Sequence, residues 1–361
     1  MGQAFERARE LSERVGAAPN EFLILLGLFA FYVMRADYAT SRGIAEQSLT
    51  LDHEAGEQGA VVLALQFTGC VDLFTGDPEH ALLHAKAGCD AYRNTGPQPL
   101  GPIYGMDPGI LCYEWVAWSY LILGYADQAE RLYAIGIDYA YRHGHPLTVA
   151  TTKVHVACLD ALREDVAATL EHAGDAVAFC KENSILLRQV EAQILVGWAV
   201  AESGDPIRGV SEVEAALATW RQLGAKIFDS CWYLLLAKAY LCADRLSEAR
   251  GALQVAFSAA NNNGEHICTA ELHRFDGELQ LASGGTDAEA EQCFATAMDV
   301  ARRQKAKLWE LRASRSLARL WQGQGKRKEA HDLLSPIYNW FTEGFDTKDL
   351  MEAKALLEEL R

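Results

Sequence analysis

The chain has 361 residues, half of them apolar, which is enough to bury a large core, and nothing in its composition marks it as disordered. Its 33 basic and 49 acidic side chains leave a net charge of −16, which repels nucleic acid and anionic lipid and excludes both as default partners. Nine widely spaced cysteines, with no C-x-x-C pair, read as reduced, mostly buried thiols of a cytoplasmic protein and exclude a disulfide framework or structural zinc site.

In chain order, residues 3–16 form a half-repeat helix that caps the start. The run Phe22 to Met34, FLILLGLFAFYVM, is too short to span a bilayer and too far from Met1 for a signal peptide, so it reads as a helix buried on most sides. Apolar residues then recur at helical spacing, interrupted by Gly- or Asp-centred breaks, which places helix pairs at 19–56, 58–94, 107–144, 146–182, 184–223, 226–263, 265–305 and 307–343, with a closing helix at 347–360. The breaks themselves repeat. A small residue opens the second helix of each pair at Ser41, Ala81, Ala129, Ala168, Gly209, Ala249, Ala290 and Ala330, and the successive separations are 40, 48, 39, 41, 40, 41 and 40.

In most units a bulky residue follows four positions after this anchor (Tyr133, Val213, Leu253, Phe294, Leu334), and a small one recurs three later (Gly136, Ala216, Ala256, Ala297). All three share one helical face and let a second helix approach closely. A further small residue lies twelve positions before the anchor (Gly69, Ala117, Gly197, Ala237, Ala318), with Phe29, Val156 and Glu278 as exceptions. The pattern resembles the tetratricopeptide repeat, stretched from its usual ~34 residues to about 40 by slightly longer helices. The resemblance implies an all-α superhelical solenoid of about eight antiparallel helix pairs with capping helices, continuous over residues 1–361.

The 48-residue step contains the irregular segment 94–109, NTGPQPLGPIYGMDPG, rich in proline and glycine. It is either a tolerated surface insertion or a loop folded into the concave groove. Asp107-Pro108 provides an N-cap and first-turn proline for the next helix, where Trp115 and Trp118 point the same way. With Tyr104 they either pack in the core or wall a pocket for a small effector. Between 301 and 330, ten basic residues face two acidic ones, and Arg312, Arg315 and Arg319 form one stripe along the first helix of the last pair. That stripe is either a solvated face or a row of guanidiniums for carboxylates or phosphates in the groove.

The segments IYGMDPG (103–109), LGYADQA (123–129), WFTEGFDT (340–347) and DLMEAKALLEEL (349–360) sharpen the resemblance. They are similar to the C-terminal tetratricopeptide region of large bacterial ATPases, often fused to class III adenylate or guanylate cyclase domains. The resemblance implies a regulatory arm that senses a partner while an attached or associated ATPase or cyclase does the chemistry. It also leaves two expectations for the chain, an excised region or a stand-alone relative.

No G-x-x-x-x-G-K-[ST] loop is present: in QGQGKRKEA, Leu320 stands at the first glycine position and Arg327 at the Ser/Thr position. His80 and His84 have metal-compatible i, i+4 spacing but no obvious third ligand, so they read as surface histidines. The sequence therefore predicts no enzyme, no cofactor, no metal and no catalytic residue. It predicts a regulatory or scaffolding array that takes a protein or peptide segment in its concave groove, with a small-molecule pocket near 94–118 as the alternative. Tyr104, Asp107, Trp115, Trp118, Arg312, Arg315 and Arg319 are the candidate binding residues.

Overall fold

The computed structural model describes residues 21–55, 58–94 and 100–361. In chain order its helices are α1 (Glu21–Val33), α2 (Tyr38–Ala55), α3 (Gln58–Phe74), α4 (Pro78–Asn94), the single turn α5 (Gly101–Tyr104), α6 (Pro108–Leu123), α7 (Ala126–His143), α8 (Pro146–Leu162) and α9 (Val166–Glu182). They continue with α10 (Leu186–Glu202), α11 (Pro206–Gln222), α12 (Asp229–Cys242), α13 (Leu246–Asn263), α14 (Thr269–Ala282), α15 (Asp287–Arg303), α16 (Lys307–Gly323), α17 (Arg327–Tyr338) and α18 (Lys348–Leu360). No strand occurs among the described residues. These are the eight antiparallel pairs expected, closed by α18, in an all-α tetratricopeptide-like superhelix. The expected helix 3–16 lies outside the described residues.

The same backbone device ends the first helix of every pair. Ala36, Gly76, Gly124, Glu164, Gly204, Asp244, Gly284 and Gly325 all have a left-handed backbone, with φ between 54 and 103°. The following N–H then returns to a carbonyl five residues back, as from Asp77 to Asp72 (2.9 Å), Asp165 to Asp160 (3.0 Å) and Asp205 to Val200 (3.2 Å). Glycine takes this conformation freely, whereas Ala36, Glu164 and Asp244 adopt it at about 1–2 kcal/mol each.

This geometry corrects the register at two repeats. In the fourth pair the buried small residue is Thr169, not the half-buried Ala168, and Thr169 Oγ1 donates to the Asp165 carbonyl at 2.7 Å. Its partner twelve residues earlier is then the buried Ala157 in place of Val156. In the seventh pair Gly284-Gly285 lengthens the turn by one residue, so Gly277, not Glu278, faces Phe294. Phe29 is a true exception: it stacks on Phe67 with ring centroids 3.8 Å apart. Where α10 and α11 cross, at Gly197 and Gly209, a β-carbon would lie 2.7 Å from Val213 Cγ2 and 2.5 Å from the Ala201 nitrogen respectively.

The superhelix meets itself after one turn. The Met34 carbonyl accepts from Lys226 N (2.7 Å) and Ile227 N (3.2 Å), and forty residues on in both segments the Phe74 carbonyl accepts from His266 N (2.8 Å) and Ile267 N (3.2 Å). Farther along, Gln128 N donates to Glu343 Oε1 at 3.0 Å and Arg312 Nη2 to the Leu162 carbonyl at 2.7 Å. The turns of the first four pairs thus rest on segments of the second half. Helix α6 sits where they meet, touching α3, α4, α7, α8 and, across the axis, α16. All sixteen of its residues are buried, which accounts for a sequence apolar on every face. All nine cysteines are free, six of them buried. No helix among the described residues is long and apolar enough to cross a membrane.

Candidate ligand seat on the superhelix axis

First helices face the axis, so the character of their inner residues decides whether it is filled or open. At the first-half end these residues are small or flexible, with Gly27 and Ala30 on α1, Met34 just after it and Met106 before α6, and a cavity of about 330 Å³ remains. Its walls come from α1, α3, α6, α8 and α10, and it is closed by Ile227 and Phe228 from the second half. The apolar excess of the 22–34 run is explained here: Leu25, Leu28 and Phe29 face the core, while Leu26, Gly27 and Ala30 form cavity wall.

The ionisable groups near this cavity are partnered within the protein. Glu114, buried on α6, accepts from Thr152 Oγ1 and His155 Nδ1, both at 2.6 Å. Arg188 Nη1 reaches both oxygens of the buried Glu191, at 2.7 and 2.9 Å. Burial would lower the Arg188 pKa, and Glu191 outweighs it and holds the guanidinium above its ordinary value. Two buried donors of residues that line the cavity, Trp115 Nε1 and Arg188 Nε, have no acceptor within the protein and no surface open to the cavity.

Phe228 partitions the axis. Its φ of 63° is left-handed, a conformation that is sterically strained for a bulky side chain. It is held by its N–H to Glu265 Oε2 (2.8 Å) and by ring contacts with Phe74, Trp118 and Trp232 at 4.5, 5.5 and 5.3 Å. Glu265 has no exposed surface and also accepts from Tyr38 Oη (2.8 Å), Ser230 N (2.9 Å) and Ser230 Oγ. Burial raises its carboxyl pKa and these donors oppose the rise. Glu265 therefore ties the start of α2 to the start of α12 across the superhelix. Beyond Phe228 lies a second, much smaller cavity of about 60 Å³, lined in part by Trp118, Trp232 and Trp309.

The second-half end of the axis is lined with ions, which surround a cavity of about 310 Å³. Arg312 Nε and Nη2 chelate Asp349 at 2.8 and 2.7 Å, and Arg315 Nη1 reaches Asp349 (3.1 Å) and Glu352 (2.9 Å). Arg274 chelates Glu271 at 2.6 and 3.0 Å. Glu164, at the left-handed turn of the fourth pair, receives Lys238 at 2.8 Å and lies 3.8 Å from both Arg312 and Lys348. Lys238 first, and then Arg312, hold the Glu164 carboxyl well below its ordinary range.

The residues anticipated from sequence divide between these regions. Tyr104 and Trp115 line the larger cavity, and Trp118 stands across Phe228 from it. Asp107 caps α6 through Gly109 N (3.0 Å), while its other oxygen accepts from Leu100 N (2.9 Å) and Tyr92 Oη (3.0 Å), so its carboxylate pins the irregular segment to α4 and α6. Arg312 and Arg315 are buried in ion pairs, and of the stripe only Arg319 keeps a half-exposed side chain, 3.9 Å from Glu352. The stripe is therefore mostly a clasp within the molecule, because α18 folds back over α16. His80 and His84 bind Asp77 (2.6 Å) and Asp72 (2.8 Å), and no group of three metal-ligating residues exists among the described residues. Sequence reasoning passed over Arg188, Phe228 and Glu265. The lone acid in the apolar run YEWVAW, Glu114, was the available signal that something polar reached the axis.

No family model matches the sequence, and no curated protein does. Solved structures do resemble the fold. A Rap protein complexed with Competence and Sporulation Factor is 12% identical with a TM-score of 0.56, covering 95% of this chain and 100% of its own. The Rap conjugation gene regulator of the plasmid pLS20, in complex with the Phr* peptide, is 11% identical with a TM-score of 0.59, covering 93% and 95%. The Cut9–Hcn1 hetero-tetramer of the APC/C is 10% identical with a TM-score of 0.58, covering 98% of this chain and 58% of that one. At these identities the likeness establishes a tetratricopeptide-like repeat fold.

Proposed function

We propose that residues 1–361 act as one non-catalytic regulatory repeat domain that takes a peptide or protein segment on its axis, with the larger cavity as the seat. The observation that carries this reading is that the cavity is walled by the first helices of the first five pairs and closed by Ile227 and Phe228 just before α12. An occupant touches both sides of the place where the superhelix meets itself, so its binding differs between a closed and an opened stack, as regulation by a ligand requires. Two structural neighbours are complexes with a named factor or peptide, which supports a peptide class of ligand. The resemblance of the ending WFTEGFDT and DLMEAKALLEEL supports a finer reading, a cytoplasmic sensor arm for a signalling ATPase or nucleotide cyclase in cis or in trans. The second reading, a small-molecule effector seat near 94–118, is favoured by Tyr104, Met106, Pro108 and Trp115 all lining this same cavity.

The test is selection of displayed random peptides on the wild-type protein, counter-screened on Ala30→Trp. Ala30 is exposed on α1 and lines the cavity, so the indole fills the seat without entering the core. Enrichment of peptides that Ala30→Trp rejects is the expected result. Peptides that bind both proteins equally, or none at all, would remove the seat from this reading.

A further inference from the structure

We propose that a groove along the seam where the superhelix meets itself, between α4 and the turn joining α15 to α16, docks an acidic segment of a partner protein that carries apolar anchors. The groove is separate from the axial cavity and does not depend on the reading above. Its volume is about 840 Å³. One wall is α4, where Leu83 and Ala87 are exposed one helical turn apart. Trp340 stands on the other side of the seam. Leu123 and Tyr125 join the two walls: α6 packs on α4, a β-carbon at Gly124 would lie 2.9 Å from Trp340 Cζ3, and the Tyr125 and Trp340 rings are 5.7 Å apart. Leu83 is 62% exposed and Trp340 37%, so a large aliphatic and a large aromatic side chain share one concave surface that the chain itself leaves open to solvent. An apolar centre with a charged rim is the anatomy of a protein interface, and Trp and Tyr are the residues that carry most binding energy there.

The rim selects the sign of the partner. Four basic side chains, Lys86, Arg302, Lys305 and Lys307, line the groove against three acidic ones, Glu79, Asp90 and Glu310. Arg302 Nε and Lys307 Nζ both draw on the Glu310 carboxylate, at 2.8 and 2.7 Å, and Arg302 also lies 3.7 Å from Asp299. Asp90 pairs with Arg93, and Lys305 with Glu79 across the seam. Lys86 donates to the Tyr120 hydroxyl at 2.9 Å and enters no ion pair among the described residues. The groove thus keeps a positive excess in a molecule of net charge −16, whose remaining surface repels an acidic partner and steers it here. The same net charge opposes nucleic acid, which offers no aliphatic anchor for Leu83.

The test uses two displayed libraries of amphipathic helices with the same leucine, phenylalanine and tryptophan anchors, one with an acidic polar face and one with a basic one. The acidic library is expected to enrich on the wild-type protein and the basic library is not. Leu83→Gln removes an exposed anchor contact without touching the core and should weaken the selected peptides about five-fold or more. Lys86→Glu should weaken them about five-fold at about 0.05 M salt, with the difference shrinking toward about 0.5 M. Ala30→Trp, which fills the axial cavity, should leave their affinity unchanged. The proposal is overturned if the basic library enriches instead, if neither does, or if the selected peptides are indifferent to either groove variant. Peptides that Ala30→Trp rejects and Leu83→Gln accepts belong to the axial seat and likewise count against the groove. A single-stranded oligonucleotide that binds the wild type more tightly than any selected peptide, and is lost on Lys86→Glu, would replace the protein partner with nucleic acid. Failure of the axial seat alongside success here leaves the groove standing.

Discussion

The two ends of the superhelix axis are built from the same repeat and have opposite characters. Around the first-half end, Gly27 and Ala30 leave space, Arg188 is paired with Glu191, and Glu114 is hydrogen-bonded by Thr152 and His155. Around the second-half end, the equivalent inner faces carry Lys238, Arg274, Arg312 and Arg315, whose long stems and charged heads bind Glu164, Glu271 and Asp349 and give the space there a polar, ionic lining. Chemistry of the inner side chains, not helix geometry, decides which stretch of this solenoid is an apolar seat and which is an ionic clasp. A clasp made of buried ions is intolerant of losing one member, whereas a seat made of apolar wall tolerates change until it is filled.

The largest expected effect follows from that intolerance. Arg312→Met leaves Asp349, Glu164 and Glu271 facing each other without their shared cation and should cost about 3–5 kcal/mol in urea unfolding. A loss below about 1 kcal/mol would mean that the ions line the axis without closing it. A smaller effect tests the boundary between the two ends, where Asp229 follows Phe228. Burial first, and Glu265 second, push the Asp229 carboxyl from 3.8 to about 7. The folded state therefore keeps a proton that the unfolded chain releases. The stability this contributes is complete below about pH 4 and fades as pH rises through about 7. Measured against Asp229→Asn, which lacks the titration, wild-type stability should fall by about 2–4 kcal/mol between pH 4 and pH 8. A difference independent of pH would place that carboxyl in a wetter setting than the partition implies. Glu164, at the clasp, has the opposite sign: its depressed pKa contributes stability above the ordinary glutamate range that is lost as pH falls. The smallest effect concerns the turn beside the seat. Ala36→Gly relieves a φ of 56° and should stabilise the protein by about 0.5–1 kcal/mol, read as a small rise in Tm; a decrease would show that the β-carbon's packing outweighs its strain.

The repeat was legible in the sequence because each pair needs the same small residue at its crossing and the same break at its turn. Where the reading slipped, at Ala168 and Glu278, a single residue had moved the frame, and the left-handed position that reveals the shift is held by Glu164 in one turn and doubled as Gly284-Gly285 in the other. Asp107 was read correctly as a helix cap from its neighbour Pro108, since capping is local. Which inner residues meet across the axis was not legible. Arg312 and Asp349 are brought together by α18 folding back, and Phe228 reaches Phe74 only because one superhelical turn returns to its start. Periodicity reports the face a residue occupies and says nothing about what arrives opposite it from nearly two hundred positions away.

That return has a mechanical consequence. Residue 34 meets 226 and residue 74 meets 266, a constant offset spanning roughly five helix pairs, like successive threads of a screw. Any small change of tilt between adjacent pairs adds up over those steps before it reaches the line where the threads touch. The molecule thereby works as a vernier: a fraction of an ångström at each crossing is summed into a displacement large enough to break or remake the backbone hydrogen bonds there.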